Sequence, residues 1–419
     1  MTANSENLVR DAERLKVDGQ ISPGWKAAFV GMFAFIVGPT ALLATTFSVL
    51  AAGLEAETGW SHSSVAYGAT LISLALVVSA PIQGFLVDRV GPRRLILICA
   101  PLYGLGLIAL NLAKQDIAAF YLACVLMIFA SLGLWPASYM RVLASWFQRR
   151  LGLAIATVMM GASISTIIMP VLMKYSFAAL GWGGTYAALG VFVILVVWPA
   201  LIRWMRMAPA AVEAVISIPL DNAKALVLTT RPIFWIGLAV FFGFGLANAA
   251  ILAHGVAILR WYGLEAGDAL QLMSTVGAGL LVGRVATGWV LDRTDVRLVG
   301  LFMFTILTIT FVLQLSPAAG HLAVALAALG GIVIGAEFDI LGVFVRRHFP
   351  VTGFGRVYGF TFAIFNLGNA IGVAVLAFAF QQSNSFAAPL AALAAISLGC
   401  GLLFLTVPKD RPSRAPLTS

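Results

Sequence analysis

Charge is scarce in this sequence. Of 419 residues, only 10% are Asp, Glu, Lys or Arg, against 61% hydrophobic. A soluble domain carries about 25% charged residues. No polar stretch is long enough to hold a large soluble domain, so one is excluded. Cysteine is scarce too. Cys99, Cys124 and Cys400 stand alone inside apolar runs and read as small core hydrophobes. Their spacing matches neither a disulfide framework nor a metal site, so no metal is expected. His62, His254, His321 and His348 are scattered, and no nucleophile–base spacing stands out. An enzyme is therefore not expected, nor a cofactor. There is no nucleotide-binding loop, so ATP is not the expected source of energy. The N-terminus has no basic start followed by an apolar core and a small-residue cleavage site. It reads as a polar tail, with an interfacial helix over 5–16, and not as a cleaved signal peptide.

Apolar stretches of about 20 residues fill the space between the charge clusters. That length crosses a hydrocarbon core of about 30 Å. The sequence predicts an all-α membrane protein with spans at 26–54, 64–87, 94–113, 118–145, 151–174, 182–203, 233–258, 268–291, 298–315, 321–344, 355–380 and 386–407. The expected parts are a tail (1–25), a six-helix bundle (26–203), a central loop (204–232), a second six-helix bundle (233–407) and a tail (408–419). Lys and Arg orient it. With both termini cytoplasmic, all but five of the 26 basic residues fall on the cytoplasmic side. The exceptions are Lys114, Lys174 and Arg260 outside, and Arg141 and Arg284 within spans. This placement accounts for the net charge of +9 without a nucleic-acid partner. The partner it implies is the lipid bilayer.

The two halves repeat. GFLVDRVGPRR (84–94) closes the second span and GWVLDRTDVR (288–297) the eighth. Gly84 to Gly288 and Asp88 to Asp292 share one offset, 204 residues. Parallel repeats of this kind place a binding site near the bilayer midplane, between the halves.

The G-x-x-x-D-R-x-G-x-R pattern at 84–94, its weaker echo at 288–297 and the twelve spans resemble the major facilitator superfamily of secondary transporters. Within it, four stretches resemble the monocarboxylate-transporter group: GWKAAF before span one, ETGWSHSSV after it, SWFQRRLGLAIA (145–156), and VGRVATGWVLDR with its arginine inside span eight. Most of the group has a glycine after the Leu–Ala of span five, where this chain has Ala156. The resemblance implies the major facilitator fold and a multi-pass protein of the cell membrane, in a bacterium the inner one. It also implies a small organic anion as substrate and a carrier that works as a monomer.

The 84–94 loop then reads as a conformational latch, built from Gly84, Asp88, Arg89, Gly91, Arg93 and Arg94, with Gly288, Asp292 and Arg293 as its second copy. Arg89, Arg93 and Arg94 can pair with Asp88 or with acidic headgroups; ordinary positive-inside anchoring is the plainer alternative. Arg284 lies about 12 Å along its helix from Asp292, too deep for a surface anchor. A cation at that depth costs roughly 2.5–3.5 kcal/mol and must face a cavity or a partner. The repeat does not demand it, because the matching position is Ala80. In the resembled group the span-eight arginine holds the substrate carboxylate. The alternative is a structural ion pair.

Glu337 and Asp339 lie in span ten, about 200° apart on the helix. Glu337 is the expected cavity residue, and Asp339 is expected to pair with Arg346 or Arg347. A Glu337–Arg141 pair across the pore would close the cytoplasmic gate, or Glu337 would carry a proton; a static interhelical pair is the alternative. His254 is either an interhelical donor or a proton site, because histidine titrates near neutrality. Related bacterial carriers resemble H-x-x-P-x-x-x-D-x-G here, with the aspartate as proton site. This chain keeps His254 and Gly263 but has Ala257 and Trp261. Weight therefore shifts to His254 and Glu337. Asn248, Asn366 and Asn369 hydrogen-bond between helices or line the cavity. Tyr121 and Tyr103 are further hydroxyl donors.

The expectation is proton symport of a monocarboxylate by alternating access, with anion exchange second. Drug or waste efflux carriers of the superfamily place acids in the first-half pore, where only Arg141 is deep. A non-transporting receptor usually adds a long soluble tail.

Overall fold

The structure, a computed structural model, describes residues 22–39, 54, 58–112, 116–147, 150–209, 231–316, 319–350 and 353–409. The interfacial helix expected over 5–16, the second half of span one and most of the central loop lie outside these residues. Within them, every regular element is a helix. In order these are α1 (Pro23–Ile36), α2 (His62–Val90), α3 (Pro92–Leu112), α4 (Ile117–Ala130), α5 (Pro136–Trp146), α6 (Leu151–Phe192) and α7 (Trp198–Trp204). Then come α8 (Pro232–Asn248), α9 (Gly255–Trp261), α10 (Ala266–Leu291), α11 (Val296–Gln314), α12 (Ala323–His348), α13 (Phe354–Ser383) and α14 (Ala387–Leu405).

Local chemistry sets the ends. Pro23, Pro136 and Pro232 each open a helix, where a missing N–H is harmless and φ is already helical. Ser61, Asp116 and Asp295 cap α2, α4 and α11 by accepting from the amides of Ser64, Ala118 and Arg297. The expected loop between spans five and six is a kink inside α6. It falls at Gly181, whose φ of +67° suits glycine.

Span four is not one helix. It breaks into α4, a 3-10 turn (Leu132–Leu134) and α5. Pro136 forces Trp135 into an extended conformation, φ −85° and ψ 161°. A break inside a membrane is tolerated where side chains satisfy the freed backbone. Gln83 of α2 does so, donating to the Trp135 carbonyl at 3.1 Å. Span seven is interrupted as well: a π turn, Ala249–Ala253, separates α8 from α9 and ends at His254.

Eight segments among the described residues are long and apolar enough to cross a membrane. Their outer surface is apolar: Leu74, Leu195, Phe302 and Phe378 are each more than 60% exposed. Exposed apolar surface on this scale belongs against lipid. The chain is a multi-pass helical membrane protein. Its first half meets its second mainly through two crossings, α2 with α13 and α6 with α10.

Candidate functional site

The position of Arg284 follows from glycine. α10 and α12 approach so closely that a Cβ on Gly279 or Gly283 would run into α12 backbone. A Cβ on Gly335 would likewise meet the Leu280 carbonyl. Small residues at such crossings let helix backbones touch. The contact sets Arg284 of α10 beside the acidic turn of α12.

Arg284 is 3% exposed. Its Nε donates to Ser163 Oγ of α6, 3.3 Å away in the other half. Its Nη1 is buried and has no hydrogen-bond partner among the described residues. The groups that act on it electrostatically are Asp339, Glu337 and Tyr358. Asn248 of α8 donates to both Glu337 oxygens, at 3.2 and 3.3 Å. Asp339 is fully buried, and neither of its oxygens has a hydrogen-bond partner among the described residues. The Tyr358 hydroxyl of α13 is also buried without a partner. Unpartnered buried polar atoms are rare, and each one needs a reason. Three groups on three helices, Arg284, Asp339 and Tyr358, thus keep buried polar atoms that no side chain or backbone group among the described residues satisfies.

Several expectations change. The Glu337–Arg141 pair does not form. Arg141 is bound within its own half, to the Val87 carbonyl at 2.9 Å and to the Asp88 carboxylate. Asp88 is only 5% exposed and needs that counter-ion. Arg141 is thus bound at the Asp88 contact and not to Glu337. Asp339 does not pair at the helix end: Arg347 donates to the Thr294 and Leu291 carbonyls. Glu337 and Asp339 both act on Arg284 despite their angular separation, because α12 is buried on nearly every side in that turn. Asn366 bonds the Phe362 carbonyl of its own helix. His254 links helices through the Val373 carbonyl at 3.0 Å, beside the Phe386 ring. Trp261 packs on Tyr262 and Phe386, an aromatic patch where related carriers have an acid. The Tyr121 hydroxyl is taken by the Ser64 carbonyl and that of Tyr103 by the Val37 carbonyl.

The residues expected to form a latch make a crossed pair of contacts between the halves. Asp88, at the end of α2, accepts from the amides of Gly355 (3.0 Å) and Arg356 (2.9 Å), which open α13. Asp292, just past α10, accepts from Gly152 (2.7 Å) and Leu153 (3.1 Å), which open α6. Each aspartate caps a helix of the other half, where free amides and the helix dipole favour an anion. Gly84 and Gly288 bring the backbones together: a Cβ at 84 would strike the Gly355 carbonyl, and one at 288 the Gly152 carbonyl. Burial pushes the Asp292 carboxyl above its ordinary range, while the Leu153 and Gly152 amides pull it down.

The arginines beside Asp88 do not pair with it. Arg89 lies over the Phe85 ring, Arg93 donates to the Met205 carbonyl at 2.9 Å, and Arg94 is exposed. Gly91, with φ +88°, ends α2. Arg293 lies 4.0 Å over the Trp289 ring.

Ser163 carried no signal in the sequence reading. The small polar pair Ser163 and Ser165, inside an otherwise apolar α6, was the available clue. No cluster of three metal-ligating side chains occurs among the described residues. A cavity of about 690 Å³ lies beside Lys26 and Arg203 and includes none of these groups.

The Major Facilitator Superfamily model matches residues 27–323 and again 262–419. The chain belongs to that superfamily, a family of transporters and not of enzymes. It is 25% identical to MFS-type transporter 1 of Ophiocordyceps sp., over 76% of this chain and 71% of that protein. It is 22% identical to Monocarboxylate transporter 11 of Mus musculus, over 81% of this chain and 78% of that protein. Among solved structures, a bacterial homologue of the iron transporter ferroportin, in an outward-facing state, shares the fold. Its TM-score is 0.75 at 12% identity, over 91% of this chain and 98% of that one. The two sequence relatives come from a fungus and a mouse, and they give no support to a bacterial inner membrane.

Proposed function

We propose that this protein carries small organic anions, monocarboxylates first among them, together with a proton by alternating access. One observation supports this most. The buried Arg284 reaches across to the other half, has an Nη1 with no protein partner, and shares its surroundings with two buried carboxyls. A guanidinium fork matches a carboxylate in charge and in geometry. An anion on Arg284 would neutralise it, and a proton on a carboxyl of α12 would keep the loaded site neutral. The monocarboxylate relatives favour the same substrate class.

On this reading the chain has twelve spans at the positions given above, in bundles 26–203 and 233–407 joined by the 204–232 loop. Both termini face the cytoplasm. The Asp88 and Asp292 contacts then close the cytoplasmic end, as a carrier open to the outside requires. The coupled proton is carried by a carboxyl of α12, because His254 is engaged with Val373. Anion exchange is the second reading, favoured by the aromatic patch at Trp261.

The test uses purified protein in proteoliposomes. An inward proton gradient should drive accumulation of a labelled monocarboxylate. Arg284→Lys keeps the charge but loses the fork and should lower uptake about tenfold or more. Unchanged uptake by Arg284→Ala would remove the proposal.

A further inference from the structure

We propose that the two carboxyls of α12 divide the work: Asp339 keeps a proton through the whole cycle, and Glu337 takes up and releases the coupled one. The inference rests on the proton–anion reading above and assigns its proton.

It follows from a count of buried charge. Arg284 from α10 is acted on by Asp339 and Glu337 from α12 and by Tyr358 from α13, and the neutral contacts are Asn248 from α8 on Glu337 and Ser163 from α6 on Arg284. One of these groups is a permanent cation and two are carboxyls. The Asp88–Arg141 pair balances itself nearby. A carrier that reorients inside a bilayer must keep such a site close to neutral. With both carboxyls ionised the empty site is net negative. With both protonated it is net positive. Only one ionised carboxyl balances Arg284.

Hydrogen bonding decides which one. Glu337 has a donor, because the Asn248 amide reaches both of its oxygens. Asp339 has none: it is fully buried, and both oxygens lack a partner among the described residues. A buried carboxylate with no donor is too costly to leave charged. Asp339 is therefore the protonated member, and Glu337 is the counter-ion of Arg284 in the empty carrier. When a monoanion takes Arg284, Glu337 loses its counter-ion and binds a proton from the outer water at one Oε. When the anion leaves inward, that proton follows and the pair with Arg284 re-forms. One proton crosses per monoanion, although two carboxyls are present.

The variants separate the roles. Pyruvate is the probe anion, in proteoliposomes holding the full chain. Glu337→Gln leaves the empty site with net charge +1 and blocks its return. Proton-driven net uptake should fall about 100-fold. Exchange of pyruvate at equal pH should survive, because the loaded site is still neutral. Asp339→Asn imitates the resident proton and should leave the ratio of proton-driven net uptake to exchange within about twofold of wild type. The reverse pattern, or loss of exchange in Glu337→Gln, would overturn the assignment. Infrared difference spectra at pH 7 without substrate give a second readout. The carbonyl band of a protonated carboxyl should vanish in Asp339→Asn and persist in Glu337→Gln; the opposite result overturns the proposal. If the wild type carries no pyruvate yet the band behaves as expected, the substrate reading fails and the assignment of the proton stands.

Discussion

The joints at Asp88 and Asp292 are copies of one design with different energetics. Both aspartates end a helix of one half and cap a helix of the other. Both sit beside a glycine that lets two backbones touch. Yet Asp88 is buried and takes a full ion pair from Arg141, whereas Asp292 is half-buried and is held through amides. The repeat even preserves the arginine's other bond. Arg141 donates to the Val87 carbonyl and Arg347 to the Leu291 carbonyl, and these acceptors are 204 residues apart. The difference teaches that depth sets the chemistry. A carboxylate removed from water takes a cation in direct contact, and one nearer water is held by helix amides with Arg347 and Arg293 acting on it.

The sharpest test of that contrast is charge removal. Asp88→Asn strands the buried Arg141 and should cost about 3–5 kcal/mol. Asp292→Asn weakens amide bonds to a charged acceptor and should cost about 1.5–3 kcal/mol. Thermal unfolding of the purified variants ranks them. Adding Arg141→Met to Asp88→Asn should recover much of the loss, since no charge is then left unpaired. Equal midpoints for the two single variants would show that the joints are energetically alike.

Glycine gives a smaller contrast. Gly84→Ala would push a methyl into the Gly355 carbonyl, backbone that cannot yield without parting α2 from α13. Gly288→Ala would meet the Ala156 methyl at 2.7 Å and the Gly152 carbonyl at 2.8 Å. Overpacking of this kind costs about 1–3 kcal/mol. Ala156→Gly should relieve part of the second substitution and none of the first, as read from the same unfolding midpoints. Ala156 stands where the monocarboxylate group usually has glycine, so the departure falls on this crossing.

The helical membrane character, the repeat and the buried cation at Arg284 were legible because they are periodic or anomalous in sequence. The 204-residue offset located both latch aspartates. It did not reveal that each caps the opposite half, since offsets record equivalence and not contact. Arg141 was expected to pair with Glu337, and does not, for a related reason. Its depth in span four was visible, but the broken helix at Pro136, which carries it to Asp88, was not. The angular argument that separated Glu337 from Asp339 holds for a helix with one wet face. In α12 that turn is buried nearly all round, so both carboxyls act on Arg284 through a low dielectric whichever way each points. His254 could be read either way until Val373 supplied its partner, because a side chain's role depends on what faces it.

Ser163 is the quietest part of the site and the finest test of how the halves differ. The second half supplies the charges, while the first half contributes a single hydroxyl to Arg284, at 3.3 Å. A hydroxyl accepting from a charged guanidinium is worth about 1.5–3 kcal/mol net, and a bond as long as 3.3 Å sits at the low end. That is too little to anchor the empty site, but enough to aim the fork while the halves are closed on it. Ser163→Ala should therefore raise the KM for the transported anion by no more than about tenfold and leave the maximal rate near wild type. Ser163→Thr, which keeps the hydroxyl, should restore the KM. A fall in maximal rate with unchanged KM would mean that the bond belongs to the reorientation step, and that the first half acts on the charge cluster during movement and not during binding.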